Sequence, residues 1–304
     1  MLIATLRLIR FPNLLVVGLT QWLIARQILG QAFQEENIAP VLSMTELGLL
    51  IFATICVTAL GYVVNDISDY EIDLINKPDK IILGRLIERK YAYQLSYLLA
   101  GLSLTASLYL AIRLNEMEWI WLYPVFTGLL LAYPAGLKRS PIAGNVFVAL
   151  ACAATAGLIW LGERKSWQLL SSTGQEQTAQ LIVLFMLYAF IATWIREIVK
   201  DLEDKEGDER QGRRSLAIRW GDTAAKITTG VLSFILLLAL VGICSLPVYQ
   251  DLNIIGKLLI PVLSLLIIFL NWRIRSAQAS PDYHQLSQQW KYFLLGGLSI
   301  LLCY

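Results

Sequence analysis

The sequence predicts an all-α membrane protein that crosses the bilayer nine times. Of its 304 residues, 57% are hydrophobic, and the mean hydropathy is +0.59, whereas soluble domains average about 45–50% apolar residues. The apolar residues form long runs, and a helix needs roughly 20 of them to cross a bilayer core. Such runs lie near 12–30, 46–66, 92–112, 119–137, 142–161, 180–198, 226–246, 254–272 and 289–304.

Positive charge is distributed unequally between the two sides of these spans. Of the 25 Lys and Arg residues, 20 fall on the side that holds the N-terminus. The other five are Arg26, Arg113, Arg164, Lys165 and Lys257. Because cytoplasmic loops are enriched in Lys and Arg, we expect a cytoplasmic N-terminus in a multi-pass membrane protein, in the inner membrane if the source is bacterial. The net charge of +2 predicts no nucleic-acid partner.

Two of the loops on the predicted cytoplasmic side are long, and they carry most of the charge of the chain. They cover about 66–91 and about 197–225. They follow the second and the sixth predicted span, a spacing that suggests duplication of a three-helix unit. No soluble segment interrupts the spans, so residues 1–304 are predicted to form a single transmembrane domain.

The first of these loops begins with a stripe of oxygen ligands. On a continued helix, Asn65, Asp69 and Asp73 fall within an arc of about 80°, with Asp66 at its edge. Stacked carboxylates repel one another, so the pattern favours a bound cation over a helix end that is acidic by chance. Oxygen ligands without His or Cys are typical of Mg²⁺. The region is therefore a candidate magnesium site.

Lys77 and Lys80 follow these carboxylates directly. Cations in this place would balance a ligand with surplus negative charge, such as a diphosphate. Ordinary loop lysines on the cytoplasmic side are the alternative explanation.

A second acidic cluster lies at the start of the other long loop. Asp201, Asp204 and Asp208 have the spacing i, i+3, i+7, which puts them within about 60° of one another on a helix, and Glu197 lies one turn earlier. Magnesium usually takes one or two carboxylates together with phosphate oxygens. The two clusters together are therefore predicted to hold two Mg²⁺ ions around one diphosphate.

At these residues the sequence resembles the UbiA superfamily of intramembrane prenyltransferases. The stretch Asn65 to Asp73 resembles the first acidic motif of the family, and Asp204 to Asp208 the second. Arg10-Phe11-Pro12-Asn13 resembles its N-terminal motif. The stretch from Tyr133 through Lys138-Arg139 to Gly144-Asn145 resembles the family's connection between the fourth and fifth spans.

The resemblance implies nine helices around a central cavity that opens to lipid, an isoprenyl diphosphate donor, Mg²⁺, and an active site at the cytoplasmic end. The implied metal ligands are Asn65, Asp66, Asp69, Asp73, Asp201, Asp204 and Asp208, and the catalytic residues among them are Asp69, Asp73, Asp204 and Asp208. The implied substrate-binding residues are Asn13, Asn65, Lys77, Lys80, Tyr133, Lys138, Arg139, Asn145, Glu197 and Lys200. Tyr62, Tyr133 and Tyr188 are candidates for cation–π contact with the allylic cation. The alternative is that they are ordinary aromatic anchors at the membrane interface.

The sequence departs from the family pattern after the first motif. Many members read Arg-Pro-x-Arg-Pro-Ile-Pro-Ser-Gly, whereas this chain has Lys77-Pro78-Asp79-Lys80-Ile81-Ile82-Leu83-Gly84-Arg85. Both cations are kept as lysines, but lysine lacks the planar fork with which arginine binds phosphate. The shape of this loop is therefore expected to differ from that of other members.

The run from Arg196 to Asp208 resembles the branch that makes digeranylgeranylglyceryl phosphate. This branch transfers a geranylgeranyl group to the glycerol hydroxyl of geranylgeranylglyceryl phosphate and so forms an ether lipid. An aromatic acceptor such as 1,4-dihydroxy-2-naphthoate is the alternative within the family. A cation transporter is the alternative from another class, although the acidic residues cluster at helix ends and form no relay across the predicted spans.

Overall fold

The computed structural model describes residues 1–76, 81–134, 136–210, 212 and 214–304. Within these residues the chain is helical, and the one β-bridge pairs Leu83 with Ile87. The α-helices are α1 (Leu2–Leu8), α2 (Phe11–Leu23), α3 (Gly30–Glu35), α4 (Met44–Asn76), α5 (Arg89–Leu114), α6 (Trp119–Ala132), α7 (Ala143–Gly162), α8 (Arg164–Trp167), α9 (Ser172–Glu203), α10 (Lys205–Arg210), α11 (Leu216–Ile243), α12 (Val248–Asp251), α13 (Ile254–Ser276) and α14 (Ser280–Ile300). A π-helical turn, Ile24–Leu29, joins α2 to α3.

Each of the nine predicted spans overlaps a helix in the described part of the chain, although the first runs through α2, the π-helical turn and α3. Within the described ranges, six helices are long and apolar enough to cross a membrane by themselves, namely α4, α5, α7, α9, α11 and α13. The first predicted span is bent by 60° against α1, α6 is only 14 residues long, and α14 begins with polar turns. The chain is therefore a helical membrane protein with six clear candidate spans among the residues that the structure describes, and the count of nine stays a prediction.

The chain forms two compact units. The first contains Met1–Trp22 and Val41–Arg139. Its central helix, α4, begins at a capping box in which the Glu46 carboxylate accepts the Ser43 N–H at 2.9 Å. Arg113 at the end of α5 contacts Glu46 at 3.2 Å, and Arg89 at its start approaches Glu71 to 3.6 Å. Ion pairs at both ends thus accompany the antiparallel packing of α4 on α5.

A buried polar network lies inside the first unit. The Gln21 amide donates to Thr54 Oγ1 at 3.2 Å, and this hydroxyl lies 3.0 Å from the Tyr123 hydroxyl. Tyr123 in turn donates to the Leu50 carbonyl at 3.2 Å. Because buried polar groups stabilise a fold only when they are hydrogen-bonded, the network joins α2, α4 and α6 in one specific arrangement.

The second unit contains Leu23–Pro40 and Ser140–Tyr304. Its central helix, α9, packs against α7, α11 and α14. Ser171 caps α9 by accepting the Gly174 N–H at 3.1 Å, and the Glu36 carboxylate accepts the Ser171 N–H at 2.7 Å. The core between α9 and α14 is built from large apolar side chains such as Trp290 and Phe293, both fully buried.

The two regions predicted as long loops are largely helical. Helix α4 continues to Asn76, so the first acidic motif lies on the same helix as the preceding apolar span. The second region contains α10 and the start of α11, which is kinked at Gly221, where φ is +85°. The start of the 66–91 connection is helical, as predicted for the first acidic motif, because a low apolar content ends a span but does not end a helix.

Candidate active site

The first acidic motif lies on the last turns of α4, as the spacing predicted. Asn65 and Asp69 are one turn apart, and the Asn65 amide donates to Asp69 Oδ2 at 2.9 Å. Asp69 is buried, and Asp73, one turn further along the helix, is partly buried. The hydrogen bond between Asn65 and Asp69 confirms that these two side chains share a face of α4.

Lys138 supplies a cation to this stripe. It lies in the 3₁₀ turn Leu137–Arg139 that follows α6. Its Nζ atom donates to Asn65 Oδ1 at 2.6 Å and to Asp69 Oδ2 at 2.5 Å. The side chains of Lys138 and Asp69 are only 14% and 11% exposed. Charge-assisted hydrogen bonds are stronger than neutral ones, so the ammonium group compensates the charge of the Asp69 carboxylate.

A second cation reaches the motif from the N-terminal segment. Arg10 lies at the bend between α1 and α2 with a φ of +51°, and its Nη2 atom contacts Asp66 Oδ1 at 2.9 Å. The guanidinium group also lies 4.7 Å from the centre of the Tyr62 ring. Asn13 donates to the Tyr62 hydroxyl at 3.3 Å. The N-terminal motif thus contacts the same end of α4.

Gly84 forms a tight turn after α4. It has a φ of +77°, and its N–H donates to the Ile87 carbonyl at 2.8 Å. A Cβ atom at this position would lie 2.6 Å from the Tyr70 hydroxyl oxygen. Arg89 covers the Tyr70 ring, with its guanidinium carbon 4.1 Å from the ring centre. Tyr70 therefore holds this turn against α4.

Three of the predicted substrate-binding side chains, Lys77, Lys80 and Arg139, lie outside the described residues.

The second acidic motif belongs to the second unit. On α9, Asp201 Oδ2 accepts a hydrogen bond of 2.7 Å from the Asn145 amide on α7. One turn earlier, Glu197 contacts Lys200 at 2.8 Å and Arg196 at 3.1 Å. The cluster repeats the chemistry of the first motif, in which an asparagine amide and basic side chains accompany carboxylates.

The three aspartates of this motif do not share one continuous helix, so that expectation was wrong. Helix α9 ends at Glu203, and Asp204 has φ −92° and ψ 3° at the break before α10. Helical hydrogen bonds continue on both sides, since the Asp204 N–H donates to the Lys200 carbonyl and the Asp208 N–H to the Asp204 carbonyl. Asp208 is buried on α10.

Comparison with known proteins identifies the family. Residues 31–295 match the UbiA prenyltransferase family. The chain belongs to this family. It is 32% identical to the digeranylgeranylglyceryl phosphate synthase of Sulfolobus acidocaldarius, over 73% of this chain and 74% of that protein. It is also 32% identical to the synthase of the same name from Methanosarcina mazei, over 76% of each chain.

Solved structures show the same fold. A structure of digeranylgeranylglyceryl phosphate synthase has a TM-score of 0.67 at 23% identity and covers 99% of this chain and 97% of its own. A UbiA homolog from Archaeoglobus fulgidus bound to DMAPP and Mg²⁺ has a TM-score of 0.56 at 15% identity, with 99% of both chains covered. The family match and the similarity to the two synthases make this chain a UbiA-type membrane prenyltransferase.

The oxygen donors of this UbiA member fit Mg²⁺ in kind. Across the described ranges, no group of three or more His, Cys, Asp and Glu side chains forms a ready-made cage for a metal ion. Magnesium does not require such a cage, because it keeps several waters and takes one or two carboxylates plus substrate phosphates. The Asn65 and Asp69 oxygens already bind a cationic group, the Lys138 ammonium.

The structure also revises the roles of single residues. Arg10 was missed as a site residue, although its motif was visible in the sequence, because one arginine in a basic terminus does not reveal its partner.

Tyr188 is not an exposed ring. It is 7% exposed, packs 5.2 Å from Phe293 and donates a hydrogen bond to the Phe293 carbonyl. Tyr133 lies 6.0 Å from Lys138 Nζ, measured to the ring centre.

Proposed function

We propose that this UbiA family member transfers a geranylgeranyl group from its diphosphate to the glycerol hydroxyl of geranylgeranylglyceryl phosphate, forming an ether lipid. The observation that carries the proposal is the stripe of oxygen donors at the end of α4 with two protein cations against it. Such a site suits a polyanionic ligand with its counter-ions. The names of the relatives from S. acidocaldarius and M. mazei support the glycerol acceptor.

In this proposal Asn65, Asp66, Asp69 and Asp73 hold Mg²⁺ at the first motif, and Asp201, Asp204 and Asp208 hold it at the second. When bound, Mg²⁺ supplies Lewis-acid stabilisation of the charge on the departing diphosphate. We expect two ions, one for each motif. Both motifs serve the same reaction within a single domain that spans residues 1–304.

The basic side chains bind the diphosphate and stabilise its negative charge as it leaves. Lys138 and Arg10 are each held by a carboxylate, so their charged ends are already positioned. Preorganised donors of this kind lower the barrier because they need no reorganisation during the reaction. Lys77, Lys80 and Arg139 are proposed to add further positive charge, and Lys200 does so beside Glu197.

The reaction replaces one carbon–oxygen bond by another. The allylic C–O bond of the donor breaks, and its electron pair stays on the diphosphate. The acceptor hydroxyl oxygen then forms the ether bond to the allylic carbon and loses its proton to the released diphosphate or to water. Tyr62 and Tyr133 are proposed to face the allylic cation. Asn13, which donates to the Tyr62 hydroxyl, and Asn145 orient the neighbouring groups.

The membrane topology of the proposal has nine spans, a cytoplasmic N-terminus and an active site at the cytoplasmic end. The unequal distribution of Lys and Arg supports it. Single cysteines introduced at Arg7 and at Lys257 of a cysteine-free protein should react with an impermeant maleimide from opposite sides of intact cells or vesicles. Labelling of both from one side would contradict the topology.

Product mass tests the chemistry. Purified protein with Mg²⁺ and geranylgeranyl diphosphate is given either geranylgeranylglyceryl phosphate or 1,4-dihydroxy-2-naphthoate. A new mass with the glycerol lipid, lost when EDTA removes Mg²⁺, is the expected result. A product with the aromatic acceptor alone would keep the prenyl transfer and reject the ether lipid. No product with either acceptor, together with ion flux through protein-containing liposomes, would favour a cation transporter.

A further inference from the structure

A groove between α11 and α13 is a second candidate ligand site. It has a volume of about 290 Å³, and none of the residues that line it belongs to either acidic motif. Gly230 and Ser233 lie on one wall, and Asn271, Trp272 and Arg275 on the other. Both helices are candidate membrane spans with most of their apolar surface uncovered, so the groove faces lipid.

The mouth of the groove is positively charged. Arg275 lies at the C-terminal end of α13, is exposed, and has no hydrogen-bond or ion-pair partner for its guanidinium group among the described residues. Lys226 at the same end donates to the Ala277 carbonyl at 2.6 Å and so fixes the end of α13 against α11. Trp272, 63% exposed, is of the residue type that lies at the headgroup level of membranes.

Polar groups continue below this mouth. Gly230 has no side chain, and a Cβ atom there would lie 3.9 Å from the Asn271 amide, so the glycine leaves room in front of that amide. The Ser233 side chain is 1% exposed, and its hydroxyl has no hydrogen-bond partner in the described part of the chain. A buried hydroxyl without a partner is unfavourable, which points to a ligand that supplies the missing partner.

The deeper part of the groove is apolar. Phe234 and Ile268 line it and are 59% and 54% exposed. Arg275 and Asn271 are four residues apart on α13, which separates them by about 6 Å along the helix axis. The order from mouth to depth is therefore cation, hydrogen-bonding groups and hydrocarbon surface. A glycerophospholipid has the same order of phosphate, glycerol oxygens and chain.

We propose that this groove binds an anionic glycerophospholipid of the surrounding membrane. Arg275 binds the phosphate, the Asn271 amide and the Ser233 hydroxyl bind glycerol oxygens, and one hydrocarbon chain lies along Phe234 and Ile268. The proposal concerns residues outside the proposed prenyl transfer, so either can fail without the other.

Native mass spectrometry of the full chain tests this. The protein is reconstituted in vesicles of equal parts phosphatidylglycerol and phosphatidylcholine, extracted in mild detergent and weighed. We expect the protein to retain phosphatidylglycerol in preference to phosphatidylcholine. Arg275→Gln should lower that retention about fivefold, the factor that one basic side chain contributes at an anionic membrane surface. Ser233→Ala, which leaves the packing intact, should lower it as well, and Gly230→Leu should reduce retention of both lipids.

The matched control is Lys257→Gln, which removes one positive charge from the same helix but not from the groove. Its lipid retention should equal that of the parent protein. Equal retention of the two lipids by the parent protein would overturn the proposal, and so would unchanged retention in both Arg275→Gln and Ser233→Ala. A dimer of the chain that dissociates in Gly230→Leu would also overturn it, because the groove would then be an interface between copies.

Discussion

The Lys138 ammonium group bridges Asn65 and Asp69, with Nζ–oxygen distances of 2.6 and 2.5 Å. The oxygens that it contacts belong to the proposed magnesium ligands. A protein cation therefore occupies oxygens that a metal ion would share, and it neutralises a carboxylate that is costly to leave charged in a partly buried place. The same ammonium group is proposed to serve the diphosphate during turnover.

Replacement of Lys138 by Ala should separate these two roles. Turnover should fall by about 10²-fold or more, the usual effect of removing one preorganised donor to a developing charge. The affinity for Mg²⁺ without donor should rise, because the competing cation beside Asp69 is gone. Calorimetric titration with Mg²⁺ and product quantification measure the two effects. Lys257→Ala is the control, and a loss of both turnover and metal affinity would contradict the assignment.

The four aspartates proposed as catalytic should be needed for turnover but not for folding. Asp69→Asn, Asp73→Asn, Asp204→Asn and Asp208→Asn should each lower turnover by about 10²-fold or more. Residues that act as a unit are strongly non-additive, so Asp69→Asn combined with Asp204→Asn should cost little more than the worse single change. Asp251→Asn on α12 is the control. If the turnover of the double variant falls by the product of the two single losses, the two motifs act independently.

Replacement of Asn145 should make the stability of the second motif depend on a metal ion. Its amide donates to Asp201 at 2.7 Å, so Asn145→Asp sets two carboxylates against each other. We expect a loss of about 1–3 kcal/mol in the free energy of unfolding without metal, with part of it restored by Mg²⁺. Thermal unfolding with EDTA and with Mg²⁺ measures this. Asn145→Ala, which keeps Asp201 but adds no carboxylate, should be restored less by Mg²⁺. No restoration by Mg²⁺ in either variant would reject a metal ion at Asp201.

The first motif could be predicted because its geometry is local. Once an apolar run predicts α4, helical periodicity alone puts Asn65 beside Asp69, and their hydrogen bond agrees. The family could also be recognised, because the residues of each motif lie close together in the sequence. The six clear spans follow from the length of apolar runs in the same way.

Features that depend on tertiary contacts could not be predicted. The break at Asp204 keeps the helical hydrogen bonds on both of its sides. It is not marked in the sequence by a residue that strongly disfavours a helix. Arg10 finds Asp66 across 56 positions in the chain. Tyr188 was expected near a substrate because aromatic rings suit cations, but its position is decided by packing of α9 on α14.

Gly84 should matter for the turn that follows the first motif. Any other residue would meet both an unfavourable positive φ and the Tyr70 hydroxyl, which lies 2.6 Å from the position of a Cβ atom. We expect Gly84→Ala to lower turnover and to increase proteolysis between α4 and α5. Gly48→Ala, near the start of α4 in the same unit, is the control, because a Cβ atom there would have no other atom within 4 Å. Equal proteolysis and turnover in both variants would show that the turn has no positioning role.

Gly297 allows the closest approach of α14 to α9. A Cβ atom at this position would overlap the Tyr188 ring, and Tyr188 is held by its hydrogen bond to the Phe293 carbonyl. Overpacking of a core typically costs about 1–3 kcal/mol, so Gly297→Ala should lower the melting temperature of the purified protein. Gly101→Ala on α5, with no atom within 4 Å of the new methyl group, should not lower it.

A second change distinguishes the steric explanation from other causes. Tyr188→Leu removes the ring that the new methyl group would meet, so it should reduce the additional loss caused by Gly297→Ala. The interaction between the two changes, measured as a double-mutant cycle of unfolding free energies, should be about 0.5–3 kcal/mol, as for residues in direct contact. Strict additivity would mean that Gly297 is required for a reason other than its contact with Tyr188.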